Sequence, residues 1–271
     1  MKRIFQPEPH HIRPAAVAGR FYPANPAELR RMIEGFLREA KPATTAAVPK
    51  AVIAPHAGYV YSGPIAASAY ARFGPARNAI RRVVLLGPSH YVAFRGLATS
   101  GAEAWATPLG TVPVDTEAVH QVTALPQVSV LDEAHAQEHS LEVHLPFLQV
   151  VLGEFKIVPF VVGDAKDEEV AQVIETLWGG DETRLVISSD LSHYYNYARA
   201  RELDSATAQA IEHLRPRDIG HEHACGRVPI RGMLRAAKTH GLHVETVDLR
   251  NSGDTAGPRS EVVGYGAWAF E

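Results

Sequence analysis

Short apolar runs alternate with segments of helical period along most of this 271-residue chain, and that rhythm restricts its folding more than any other feature. Runs at 51–54, 83–86, 157–162, 185–188, 244–247 and 262–269 have strand length, and AVIA, VVLL and LVIS carry almost no polar side chain. A strand apolar at every position has to be covered on both faces, which is the situation of a parallel sheet between helices. Segments 26–40, 64–73, 116–124, 137–152, 167–178, 200–214 and 230–239 repeat their apolar residues at helical spacing. In the first, Asn25 supplies an N-cap, Pro26 the opening residue, and Leu29, Met32, Ile33, Phe36 and Leu37 one stripe. The expected fold is therefore α/β: a single domain over residues 1–271 with a mostly parallel central sheet flanked by helices. Residues 1–25 read as an irregular lead-in, because prolines from Pro7 to Pro23 break any helix, and 41–49 read as a loop.

Composition narrows the classes of partner. Hydrophobic residues at 46% and charged residues at 21% are enough for a sizeable core. Lys+Arg 27 against Asp+Glu 30 leaves a net charge of −3, so no cation excess exists to neutralise a nucleic-acid backbone. No apolar run approaches the roughly 18 residues of a membrane span, and the start MKRIFQPEPHHIRP lacks the apolar stretch of a secretory signal. The lone cysteine, Cys225, excludes an internal disulfide and fits a reducing compartment. A soluble, cytoplasmic protein with no nucleic-acid or membrane partner is expected.

Ligands of such sheets bind beyond the carboxyl ends of the strands. Three expected strands end in a histidine within a turn of small residues: His56 in AVIAPHAGYVYSG, His90 in VVLLGPSHYVAF and His193 in LVISSDLSHYY. Any one of them alone reads as a loop residue or a satisfied core group. Three with the same placement bring imidazoles to one sheet edge, which makes a metal site. Asp190, three residues before His193, can orient a ligand imidazole or bind substrate. Tyr59 and Tyr61 line a pocket or pack. Cys225 in HEHACGRVPIRG is either a small buried hydrophobe or a thiolate whose pKa the start of the following helix lowers, while His221 and His223 beside it read as solvated loop residues. HAQEHSLEVHLPFLQVVLG reads as one helix with Glu138 and Glu142 on a shared face and His139 beside Glu142, either a charged face or acid/base groups near the metal. It lacks the H-E-x-x-H order of a zincin. NSGD at 251–254 is a turn whose Gly253 suits a positive φ. No phosphate-binding glycine loop and no G-x-S-x-G motif is present, so nucleotide binding and serine hydrolysis have no support.

In combination, RPAAVAGRFYP, APHAGYVYSGPIAASAY, LLGPSHYVAFRGLA, EHSLEVHLPFL, ISSDLSHY, ACGRVPI and NSGD resemble the MEMO family nearly end to end. Its bacterial and archaeal members carry the label AmmeMemoRadiSam system protein B. The resemblance implies a fold similar to the class III extradiol (LigB-type) dioxygenases, which use non-haem iron on two histidines and a carboxylate. On that mapping His56 and His90 are the histidine ligands, Cys225 stands where the carboxylate would be, and His193 is the catalytic histidine, with Asp190 and His139 in support. Two imidazoles and a thiolate make a softer donor set than the oxygen-rich triad, better suited to Cu(I) or Zn. The implied function is a metal-dependent (Fe or Cu, with Zn as a further candidate) oxidoreductase or dioxygenase-like enzyme acting on a small or peptide substrate. The label also implies radical-SAM and AMMECR1-like proteins as partners in a modification system. The rival expectations are a non-catalytic peptide- or partner-binding module that keeps the pocket, and a metal-assisted hydrolase.

Overall fold

The computed structural model describes residues 11–42 and 47–271, so the first ten residues of the lead-in and the middle of the 41–49 loop lie outside the described residues. In chain order the elements are β1 (Ile12–Arg13), α1 (Pro26–Arg38), β2 (Ala51–Ala54), α2 (Tyr59–Tyr70), β3 (Arg82–Pro88), β4 (Leu97–Thr99), β5 (Ala104–Thr107) and β6 (Gly110–Pro113). There follow α3 (Thr116–Val122), β7 (Val128–Val130), α4 (Asp132–Ala136), α5 (Leu145–Leu152), β8 (Lys156–Val162), α6 (Asp167–Thr176) and β9 (Thr183–Ser188). The chain closes with β10 (His193–Tyr195), α7 (Tyr197–Glu212), α8 (Arg227–Thr239), β11 (Val244–Asn251) and β12 (Val262–Phe270). The centre of the main sheet runs β2-β9-β3-β8, all parallel, and the apolar runs read from the sequence form it. Antiparallel β4 borders β8 with β7 beyond it, while β12 pairs antiparallel with β2, β10 and β11 on the other side. Helices flank this sheet: α1, α2 and α5 pack together, α6 packs on α8, and α7 lies against β11 and β12. The α/β architecture is the expected one, with a mixed sheet whose parallel strands occupy the middle. Among the described residues no helix is long and apolar enough to cross a membrane.

Several boundaries depart from the sequence reading for local reasons. Helix α2 starts at Tyr59 rather than 64, placing Pro64 inside it, where the ring removes one backbone hydrogen bond. Tertiary contacts hold that first turn instead: Tyr59 N–H donates to Phe21 O, Tyr59 Oη to Val143 O, and Ser62 Oγ to Ala57 O. Tyr59 is therefore a packing residue, while Tyr61 is 40% exposed. Gly63 lets the Phe36 ring of α1 lie against α2, since a Cβ there would overlap it. The expected continuous helix at 137–152 is absent; a short α4, a 3₁₀ turn at Glu142–His144 and α5 replace it. Glu138 breaks it by turning its Oε1 onto its own downstream N–H groups, those of His139 and Ser140 at 2.9 Å each, so Glu138 and Glu142 do not share a helix face. Gly253 does not take a positive φ. Asn251 Oδ1 accepts its N–H at 2.9 Å and Asp254 Oδ2 accepts the Asn251 N–H at 3.1 Å, closing a right-handed 3₁₀ turn.

A second, three-stranded sheet (β1-β5-β6) sits beside this region and ties the N-terminal segment to it. The Arg13 guanidinium, stacked 4.3 Å over the Trp105 ring, donates to His135 O, Glu138 O and Glu142 Oε2. Glu142 also accepts from Ala16 N–H, Val17 N–H and Tyr22 Oη, so all of its buried lone pairs are used in holding residues 13–22. Burial pushes the His135 imidazole down to about 4, and the neighbouring Arg13 charge adds to the effect. Folded His135 thus stays neutral while the unfolded chain takes up a proton below the ordinary value near 6.5, so its contribution to stability fades as pH falls from 6.5 towards 4. From pH 7 to pH 5 this one group should lower stability by about 2 kcal/mol. Denaturant midpoints at the two pH values should converge by that amount in His135→Gln, and an unchanged gap would contradict this.

Candidate metal centre

His56 follows β2, and its neighbour across the sheet is the end of β9, where Ala54 pairs with Ser188. Ser188 Oγ donates its single proton to Ser140 O at 2.6 Å, so it can only accept from His56 Nδ1, also at 2.6 Å. That contact fixes the tautomer: Nδ1 carries the hydrogen and Nε2 presents a lone pair. Burial holds the His56 pKa well below the imidazole range, with the adjacent imidazoles adding to it, and the ring is neutral at pH 7.

His90 leaves the end of β3, and Glu138 orders it in the same way. Glu138 accepts the His90 backbone N–H at 2.6 Å and Nδ1–H at 2.8 Å. Burial works to raise the Glu138 pKa, but the hydrogen bonds and charge of His90, with backbone N–H donors, outweigh it and hold the carboxyl down at about 2. A carboxylate only accepts, so it takes the Nδ1 hydrogen of His90 and leaves Nε2 as the nitrogen that can meet a metal. This is the outer partner that metal-bound histidines use to fix ring orientation. Glu138→Gln should weaken metal binding roughly ten- to hundredfold without unfolding the protein; a competition titration with a chelator reads this, and unchanged affinity would contradict it.

The turn that Glu138 makes also delivers His139. Its ring stacks on His90 with centroids 4.6 Å apart, meets His56 edge-on at 5.4 Å, and is backed by Phe21 at 4.5 Å. Burial brings its pKa down to about 4. One nitrogen from each of His56, His90 and His139 lies within 4.8 Å of the other two, which makes them a group able to hold a metal ion. Among the described residues Nδ1 of His139 is buried without a hydrogen bond, with Glu138 Oε1 3.5 Å away. Three imidazoles whose nitrogens meet at this spacing fit a transition metal.

The other residues singled out from the sequence surround this group. Cys225 Sγ stands 3.4 Å from His56 Nε2 and 3.6 Å from the Asp190 carbonyl. Two ligands of one tetrahedral ion are about 3.5 Å apart, so the sulfur is placed to share an ion with His56, but the group whose donor atoms all lie within 4.8 Å of one another has His139 and not Cys225 as its third member. Its pKa is not lowered by α8 as the sequence reading allowed: burial, with the Asp190 carboxyl nearby, pushes the thiol up to about 12. Asp190 Oδ1 accepts the His56 N–H at 2.8 Å and Oδ2 lies 3.9 Å from His56 Nε2. Burial lifts its pKa to about 7 against the lowering effect of that hydrogen bond. His193 opens β10, which bulges against β12 because Tyr194 takes a left-handed φ of 62°. Burial lowers the His193 pKa. The side chain lines a cavity of about 470 Å³ together with His90 and Cys225. His221 is exposed on its rim, and His223 Nδ1 accepts the Gly220 N–H at 2.9 Å. A larger cavity of about 580 Å³, lined by Arg81, Phe155 and Glu182 among others, opens at the opposite ends of the strands.

Sequence reasoning gave His139 a supporting place and named neither Ser188 nor Ser140. The signal for Glu138 was its position directly before a histidine, in a segment rich in titratable residues.

The chain is similar over nearly its whole length to proteins of one family. A family model described as "Memo-like protein" matches residues 13–269. A "MEMO1 family protein" of Aquifex aeolicus is 36% identical over 268 residues, covering 94% of this chain and 97% of the relative. One from Sulfolobus acidocaldarius is 36% identical over 280 residues, with 94% and 97% covered, and one from Aeropyrum pernix is 39% identical over 281, with 94% and 98% covered. With the match spanning nearly the whole chain and including every residue of the histidine cluster, the protein belongs to the Memo-like family.

Proposed function

We propose that the protein holds one transition-metal ion, iron or copper with zinc as the redox-inert competitor, and works as a metal-dependent, dioxygenase-like oxidoreductase on a small or peptide-borne substrate. His56, His90 and His139 would hold the ion, with Cys225 as a further, softer donor. The observation that carries this reading is the group of three imidazoles with nitrogens within 4.8 Å, two of them with Nδ1 held by a hydrogen-bond acceptor. When bound, iron or copper supplies one-electron chemistry and Lewis acidity at the floor of the cavity.

The chain's own residues supply the rest. Glu138 and Ser188 hold the rings in register. His193, neutral and on the cavity wall, takes or returns a proton of the substrate. Asp190, with a pKa near neutrality, is a second proton store next to His56. In the cell we place this chemistry in the cytoplasm, where the free Cys225 thiol persists, and alongside radical-SAM and AMMECR1-like proteins.

Oxygen uptake by the metal-loaded protein, supplied with catechols and with peptides, tests the reading. Uptake that needs the metal and falls roughly a hundredfold or more in His193→Ala supports it. Metal bound stoichiometrically without any uptake would contradict the oxidoreductase and favour a docking module or a hydrolase.

A further inference from the structure

The cavity of about 470 Å³ beside the histidines adjoins another of about 300 Å³, and Pro88, Ser89, Cys225 and Arg227 line both. Each has a volume in or near the range of small-molecule sites. Among the described residues Arg227 is the one Lys or Arg in these walls, and it is half-buried. Among the described residues its guanidinium makes no hydrogen bond and no ion pair, whereas half-buried arginines such as Arg82, Arg235 and Arg250 are tied to Asp115, Asp167 and Asp248. Glu222 and Asp164, exposed in the same walls, do not pair with it.

Its position is fixed by the backbone. Gly226 N–H donates to Ser189 Oγ at 2.9 Å, and a Cβ on Gly226 would stand 2.5 Å from Ser188 O, so only glycine lets α8 begin this close to the end of β9. Arg227 opens α8, whose first turn adds partial positive charge on the same side. The second lobe offers apolar surface from Val92, Phe94 and Val228.

We propose that Arg227 anchors an oxyanion, carboxylate or phosphate, of a small molecule whose apolar body lies against Phe94 and Val228. A guanidinium fork grips either group through paired hydrogen bonds, which a neutral amide cannot reproduce. The proposal goes beyond the metal reading and does not depend on it.

Calorimetric titration of the full chain, metal-loaded and metal-free, with benzoate, phenyl phosphate and the neutral isostere benzamide tests it. The expected result is at least roughly tenfold tighter binding of one or both oxyanions than of benzamide, weakening with added salt. The comparison of benzoate with phenyl phosphate tells which oxyanion the site is built for. In Arg227→Met the preference should vanish while metal content and melting temperature stay as in the wild type, and Arg227→Lys should keep part of it. If Arg227→Met does not fold, Arg227→Gln carries the same expectation. Equal binding of benzamide, an undiminished preference in the variants, or no heat with either oxyanion at millimolar concentration would overturn it. A preference that persists in protein unable to bind metal supports the Arg227 site and counts against the metal centre alone.

Discussion

Replacing His56 or His90 with alanine should cost the protein its bound metal, with affinity falling by more than about a hundredfold, beyond what loss of an outer partner causes. The reason is cumulative. Each ring is already neutral or held by an acceptor, so little free energy goes into preparing the donors. Removing one leaves two donors and a void that water fills. His139→Ala should fall in the same class, because its ring stacks on His90 and supplies one of the three nitrogens within 4.8 Å of one another. Cys225→Ser should weaken Cu(I) far more than Zn, since the softer ion depends more on sulfur. Elemental analysis of protein purified without added metal, followed by chelator competition, measures all four. If the histidine variants retain metal at the wild-type level, the assignment of this cluster is wrong.

The largest effect on stability is expected at Glu142, which contributes no chemistry. Its carboxylate is fully buried, 2.6 Å from Arg13 NH1 and 2.6 Å from Tyr22 Oη. Glu142→Ala strands the buried guanidinium of Arg13 and should cost about 3–5 kcal/mol. The double variant Arg13→Met, Glu142→Leu should recover part of that loss, because exchanging both partners for apolar groups leaves no uncompensated charge. Metal affinity should also drop in Glu142→Ala, as the segment that carries Phe21 against His139 loosens. Chemical denaturation of the single and double variants checks this. A loss below about 1 kcal/mol, the size of an exposed pair, would show that Glu142 does not anchor the segment.

The parts of the fold that the sequence reveals are those with a strong local code. AVIA, VVLL and LVIS are apolar at every position but Ser188, so their burial in a parallel sheet follows from solvation, and with it the delivery of His56, His90 and Asp190 to one edge. The small sheet β1-β5-β6 is not legible, because its strands have two to four residues and β1 pairs with β5 from a distant part of the chain. His139 is the instructive case. The segment around it has helical periodicity, and a helix would have put His139 on its side. What decides its place is Glu138, whose hydrogen bonds to the N–H of His90, 48 residues away, outweigh local helix propensity. Cys225 is left open by its sequence, as a small buried hydrophobe or a thiolate favoured by the start of α8, and burial, which depends on the whole fold, decides for the protonated thiol.

Anomalous diffraction from crystals of metal-replete protein, recorded on both sides of the metal's absorption edge, tests the central claim most directly. The account predicts one strong peak within roughly 2.0–2.4 Å of Nε2 of His56 and of His90, with His139 or Cys225 completing its ligands. A metal-replete crystal whose peak lies elsewhere, or that shows none between these rings, would contradict it.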